Sequence, residues 1–271
     1  QTGIQDPVGM TGVRLEVEAH IVTASVTSAK NIYRALERCH LGVDHMVLES
    51  LALSHVLLSE EETEAGCVLV DIGGDITNAS AFFDGAIRHA AVVPLGSKNV
   101  TNDIAIGLRT SVDHAERLKL GHGAALASLV DPAEMIEVPG VAARPAKEIS
   151  RHVLASIIEP RMEEIFSLVS RELKKIQRPD KFTAGMVLAG GGTLLPGSVE
   201  LAEQIFDMPV RVGIPAGFTG MSSIVTNPMY ATAFGLVRYG IDHPEKAKGD
   251  PGVFNRAFSK LEKVFNSLFN F

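Results

Sequence analysis

Two glycine-rich loops, each placed at the end of a short apolar run, constrain this chain more than any other feature. The first is Asp71-Ile72-Gly73-Gly74-Asp75-Ile76-Thr77-Asn78, which follows Cys67-Val68-Leu69-Val70 and precedes the apolar run 79–83. Asp84-Gly85 then has the composition of a two-residue hairpin turn, with 86–93 as the returning strand. The second loop, Gly190-Gly191-Gly192-Thr193, follows Met186-Val187-Leu188-Ala189 and leads through Pro196 and Gly197 into a helix over 198–206. Glycines at a strand end let the backbone come close to a ligand, and successive N–H groups there form a concave anion site. A hairpin loop and a strand-to-helix loop of this kind in one domain suit a nucleotide, although either alone is equally well explained as a tight turn.

The 271 residues are enough for a substantial core and for one to two domains. A net charge of -7, from 25 basic and 32 acidic residues, argues against nucleic acid as a partner. The two cysteines, Cys39 and Cys67, both sit in apolar stretches that predict burial, which suggests neither a disulfide framework nor a metal site and fits a reducing cytoplasm. No apolar run approaches the roughly 20 residues needed to span a bilayer. The chain begins at Gln1 rather than at an initiator Met, which reads as a fragment or a processed start.

Residues 13–24 alternate apolar and polar side chains as a half-buried strand does. Ser28 is placed to cap a helix over 29–39, 43–48 reads as another strand, and 49–59 as a buried connecting helix. The charge run 60–64 reads as a solvated loop. Apolar Val100, Ile104 and Leu108 predict an amphipathic helix over 97–108, Ser111 opens a second one ending at Gly121, and 135–138 is strand-like. A long helix over 148–175 must be kinked or interrupted at Pro160. The last stretch, 253–271, carries Phe254, Ala257, Phe258, Leu261, Val264, Phe265, Leu268 and Phe269 on one helical stripe, opposite a polar face. An amphipathic, phenylalanine-rich helix behind a polar linker suits burial at a membrane surface or packing on a core or partner.

Several segments together resemble the FtsA family, actin-like bacterial cell-division proteins that tie the FtsZ ring to the membrane. They are residues 6–15 (Asp6-Pro7-Val8-Gly9-Met10-Thr11-Gly12-Val13-Arg14-Leu15), Thr101-Asn102-Asp103-Ile104-Ala105-Ile106-Gly107-Leu108-Arg109-Thr110, Ile157-Ile158-Glu159-Pro160-Arg161, and 187–196. The run over 101–110 is the most specific. The resemblance implies an α/β fold of the actin, Hsp70 and hexokinase type, with an incomplete first lobe and a nearly complete second one. In that scheme 1–48 is the remainder of the first lobe, 49–98 with 183–226 is the second-lobe core, and 99–182 is its small, FtsZ-binding subdomain. The returning helix of the first lobe is 227–243, the linker 244–252, and the membrane-targeting helix 253–271.

The resemblance further implies an ATP site with Mg2+. Asp71, Gly73, Gly74 and Thr77 would form its second phosphate loop, Asp71 also serving the metal. Gly190, Gly191, Gly192 and Thr193 would form the adenosine loop, and Glu116 with Lys119 would hold ribose and adenine. Without the resemblance, Glu116 and Lys119 are an ordinary helical charge pair. Asp75 departs from the family's usual loop, and a carboxylate there either weakens nucleotide binding or recruits metal. The family's first phosphate loop and its small inserted subdomain are expected to be absent here, so weak ATP binding without turnover is expected.

Arg161 and Glu164 match positions implicated in docking the FtsZ C-terminal peptide, and a guanidinium suits an acidic tail. Phe254, Phe258, Leu261, Phe265, Leu268 and Phe269 would anchor the chain to the cytoplasmic face of the cell membrane at the division site. Self-association into filaments and contacts with other division proteins are implied as well. An actin-like ATPase of another branch, chaperone-type or pilus-assembly, and a nonfunctional fragment are the alternatives.

Overall fold

The computed structural model describes residues 8–17, 20–140, 145–176, 182–220 and 222–244. In chain order the elements are α1 (Val26–Arg38), α2 (Glu49–Leu57), α3 (Glu60–Ala65), β1 (Cys67–Ile72), β2 (Thr77–Phe83), β3 (Ala86–Val93), α4 (Ser97–Leu108), α5 (Val112–His122), β4 (Met135–Val138), β5 (Lys147–Ser150), α6 (Arg151–Leu173), β6 (Met186–Ala189), α7 (Ser198–Phe206), β7 (Val210–Val212), α8 (Ser222–Val225) and α9 (Ala231–Asp242).

The main sheet has the order β3-β2-β1-β6-β7. The strands β1, β2 and β3 run antiparallel, joined by the hairpin turn whose Asp84 and Gly85 take φ 53° and 70°, whereas β1, β6 and β7 are parallel. Both faces are covered, which explains why β1 and β6 read as continuous apolar runs. Val68, Val70, Ile72, Met186 and Leu188 pack against Ile104 of α4 and Ile158, Ile165 and Phe166 of α6. Residues of opposite parity, Cys67, Leu69, Val187 and Ala189, pack against Leu53, Val56 and Leu57 of α2 and Ala231 of α9. Strand alternation therefore turns Asp71, two residues beyond Leu69, toward the α2 and α9 side.

Several sequence expectations are corrected. Residues 13–17 and 20–24 form no strand, and Val13, Leu15, Val17 and Ile21 are exposed; a strand needs a hydrogen-bonded neighbour, and none of the described residues supplies one. The segment 43–48 likewise pairs with no other strand among the described residues and forms none. Ser25, not Ser28, caps α1, and its side chain accepts from the Ser28 N–H. The acidic run is helical, because Ser59 and Glu62 close a reciprocal capping box. The helix α5 continues past Gly121 to cap at Gly123. The helix α6 starts at Arg151 with Ser150 as its cap, since Lys147–Ser150 pairs with Met135–Val138, and it runs unbroken through Pro160. Cys67 is buried as expected, but Cys39 is exposed.

Candidate functional site

The strands β1 and β6 are parallel neighbours, with Asp71 paired to Ala189, so the loops that leave their carboxyl ends emerge side by side. This is where open α/β sheets bind ligands. The loops are in contact: Gly190 has φ 82°, and a Cβ there would overlap Asp71 Oδ1 and the Ile72 carbonyl, so only glycine fits. The chain continues as a single turn over Gly191–Leu194, in which the buried Thr193 hydroxyl donates to the Gly190 carbonyl at 2.8 Å. That hydroxyl shapes the loop and is turned away from solvent.

Asp71 is buried, and the acidic end of α2 faces it. The Asn78 amide donates to Glu49 Oε2 at 2.7 Å, and the Thr232 hydroxyl of α9 donates to Glu49 Oε1 at 3.0 Å. Burial pushes the Asp71 carboxyl up to about 7; the charge of Glu49 and its hydrogen bond act in the same direction, and the Asn78 hydrogen bond opposes them. Two carboxylates with little water are the kind of group a divalent cation draws on, and magnesium bound beside phosphates takes only one or two of them. Among the described residues no set of three or more His, Cys, Asp or Glu side chains is arranged to hold a metal ion.

The first glycine loop is clamped to the start of α4. The Ser97 and Lys98 N–H groups donate to the carbonyls of Gly73 and Gly74 at 2.9 and 2.8 Å, and Asn99 Oδ1 accepts from Gly96 N–H at 3.0 Å. These bonds satisfy helix donors that would otherwise lack partners. The Thr77 hydroxyl donates to the Leu95 carbonyl at 2.8 Å, pinning β2 to the same connection. Lys98 Nζ lies 2.8 Å from Asp75 Oδ2.

Glu116 and Lys119 are brought together, but not as a surface pair. The Lys119 side chain is 6 % exposed, and its ammonium lies 2.8 Å from Glu116 Oε2 while donating to Thr101 Oγ1 at 2.9 Å and to the Ser97 carbonyl at 3.2 Å. Thr101 Oγ1 also bonds to Glu116. For Glu116, burial acts to raise the carboxyl, but the Lys119 and Thr101 hydrogen bonds and the Lys119 charge outweigh it and hold it below its ordinary range. This network ties α5 to the start of α4, and through Ser97 to the first loop.

Arg161 lies on α6 with its guanidinium already paired. Its Nε and Nη2 donate to the two Asp103 oxygens at 2.6 and 3.1 Å, and Nη1 donates to Glu164. The Asp103 hydrogen bond is the largest of the effects that strengthen its hold on the proton. The residues expected at the membrane, Phe254 to Phe269, lie outside the described residues. Glu49, Thr101, Asp103 and Lys98 were missed in the sequence. Glu49 and Asp103 open or sit within correctly located helices, and only three-dimensional proximity exposes their roles.

Comparison with known proteins fits this geometry. The family model for Cell division protein FtsA matches residues 68–235, and the model for the SHS2 domain inserted in FTSA matches 1–23. The second match means that residues 13–23 fall within the inserted domain's pattern rather than after it. The chain is 47% identical over 241 residues to the FtsA of Pseudomonas aeruginosa, 42% over 238 to that of Neisseria meningitidis and 40% over 247 to that of Escherichia coli K12. These matches take in 88 to 89% of this chain and 58 to 59% of the relatives, so the chain spans under two thirds of their length. Among solved structures, MreB5 of Spiroplasma citri bound to ADP superposes with TM-score 0.64 at 16% identity, over 81% of this chain and 68% of that one. The PilM-PilN type IV pilus biogenesis complex superposes with TM-score 0.60 at 18% identity, over 79% and 57%. At these identities the two structures establish the actin-like ATPase fold alone.

Proposed function

Because this chain belongs to the FtsA family of cell division proteins, we propose that it is a nucleotide-dependent adaptor of the division apparatus that binds ATP where its two glycine loops meet. The observation that carries this reading is the contact of Gly190 with Asp71 and Ile72, which sets the two glycine loops side by side at the carboxyl ends of parallel strands. The Gly73 N–H closes the loop on the Ile76 carbonyl at 3.0 Å, so the Gly74 N–H would approach the phosphates, and Gly190, Gly191 and Gly192 the adenosine. The ADP-bound and AMPPNP-bound forms of MreB5 on this fold support the ligand class.

Asp71, with Glu49 beside it, would hold Mg2+, which when bound neutralises phosphate charge. Glu116 would face the ribose, while Lys119 holds Glu116 and the start of α4 in place. Phosphoryl transfer needs groups placed on both sides of the reacting phosphate. The glycine loops with Asp71, Glu49 and Glu116 would supply groups on one of those sides.

The adaptor role adds three interactions. The edge formed by Arg161 and Glu164 would receive an acidic peptide such as the FtsZ C-terminus. The Asp103 carboxylate already paired with Arg161 means the peptide must displace or share an existing partner, which favours reversible binding. The stripe from Phe254 to Phe269 would hold the chain on the cytoplasmic face of the membrane, apolar insertion contributing more than its small charge. Self-association would reinforce so weak an anchor by multivalency.

Co-sedimentation with phospholipid vesicles tests the adaptor role. The chain should pellet with vesicles, and the variant Phe258→Glu, Phe265→Glu, Leu268→Glu should stay in the supernatant while remaining folded. Equal behaviour of the two would remove membrane anchoring and leave an actin-like protein of another role.

A further inference from the structure

We propose that Lys98 and Asp75 form a charge latch at the tip of the first glycine loop, in which Lys98 exchanges Asp75 for the terminal phosphates of a bound nucleoside triphosphate. The proposal rests on the nucleotide reading above and assigns a phosphate-sensing residue that neither loop pattern contains. Four observations lead to it.

The β1–β2 ladder ends at the pair Ile72 and Thr77, so 73–76 form the tip of a hairpin. Asp75 sits on that tip, where a phosphate group would meet a like charge; unneutralised, it would repel the ligand the loop is shaped for. Lys98 supplies the neutralising charge across 2.8 Å. Its stem lies over Gly74, with Cε 3.6 Å from where a Gly74 Cβ would stand, so the ammonium spans the loop from the α4 side.

The Lys98 backbone is fixed, while its head is held only by an exposed ion pair. Its N–H is bonded to the Gly74 carbonyl, which sets the distance from the helix to the loop, yet the Lys98 and Asp75 side chains are 66% and 74% exposed. An exposed pair of this kind holds together weakly and exchanges readily. The neighbouring cation, Lys119, is 6% exposed and committed to Glu116, Thr101 and the Ser97 carbonyl, so it cannot swing to a phosphate.

Finally, a lysine in the first turn of a helix stands at the positive end of the helix dipole, where a cation is disfavoured. No acidic residue occupies the first turn of α4 to offset it. A site that keeps a cation there against the dipole gains most when an anion arrives between the helix and the loop. On binding, the ammonium moves from one carboxylate to a phosphate that carries more charge, and the released Asp75 turns to solvent.

The test is competition against a fluorescent ATP analogue on the full chain, measured with ATP and with AMP in the presence of Mg2+. Lys98→Met should raise the ATP dissociation constant on the order of 5- to 10-fold, the loss of one charge-assisted contact, and leave that of AMP within about twofold. Lys98→Arg should keep ATP affinity within about threefold, and Asp75→Gly should tighten ATP binding. The exposed pair predicts unchanged thermal unfolding for all three, and Lys98→Arg preserves the test if Lys98→Met folds poorly. Equal effects of Lys98→Met on ATP and AMP, or none on either, would overturn the latch and leave the nucleotide site standing. A wild-type chain that binds neither nucleotide would overturn both.

Discussion

Replacing Asp71 with Asn should stabilise the chain at alkaline pH and not at acid pH. Asp71 is 7% exposed and faces Glu49, and its carboxyl is pushed up to about 7 from an ordinary 3.8. That difference corresponds to roughly 4 kcal/mol as an upper bound on the cost of burying the charged form. The sign follows from proton linkage: the folded state binds the proton more tightly than the unfolded chain, so the stability tied to this group is fully present below about pH 4 and is lost as pH rises through about 7. Asparagine has the same shape, carries no charge, and can donate to Glu49. In metal-free buffer, urea unfolding of Asp71→Asn should therefore show a gain of about 2 kcal/mol or more over wild type at pH 8, shrinking below about 1 kcal/mol near pH 4.5. A constant difference across that range, or a variant less stable at pH 8, would refute the reasoning that Asp71 and Glu49 share a poorly solvated site.

Other outcomes follow from the same structure. Cys39 is exposed, whereas burial and the nearby Glu62 charge push the Cys67 thiol up to about 12 despite the opposing charge of Arg211, so maleimide should label one thiol in the folded chain and two in urea; rapid double labelling of the native chain would contradict this. Gly190→Ala should lower stability by at least about 2 kcal/mol, because strain at positive φ adds to overlap with Asp71 and Ile72, and a change under about 0.5 kcal/mol in chemical denaturation would show the loops are not in contact. Asp103→Ala should lower stability by about 1–2 kcal/mol by unpairing a half-buried guanidinium, while Glu164→Gln, at a more exposed position, should cost less than about 0.5 kcal/mol; thermal unfolding that ranks them oppositely would contradict the pairing described.

What the sequence revealed was local, and what it concealed was not. The hairpin from Cys67 to Val93 and the helices Ser97–Leu108 and Ser198–Phe206 were legible because turn chemistry, caps and apolar periodicity all act over a few residues. The alternation at 13–24 was equally clear, and 13–17 and 20–24 still form no strand, since pairing depends on a neighbour that alternation does not provide. The helix at 60–65 was signalled by Ser59 and Glu62, but the run of glutamates masked that capping box. At the site, the loops were evident while their contact was not. Gly190 meets Asp71, Asp103 meets Arg161, and Thr232 meets Glu49 across long stretches of chain, and only the sheet order, the packing of α4 on α6 and that of α2 on α9 bring them together.

The central claim is that the two glycine loops form one nucleotide site. Titration of the 15N-labelled chain with Mg-ATP, followed through backbone amide resonances, tests it most directly. The account predicts that Gly73, Gly74, Gly190, Gly191 and Gly192 shift together along one binding curve. Shifts confined to one loop, or no shift in either at millimolar nucleotide, would contradict it.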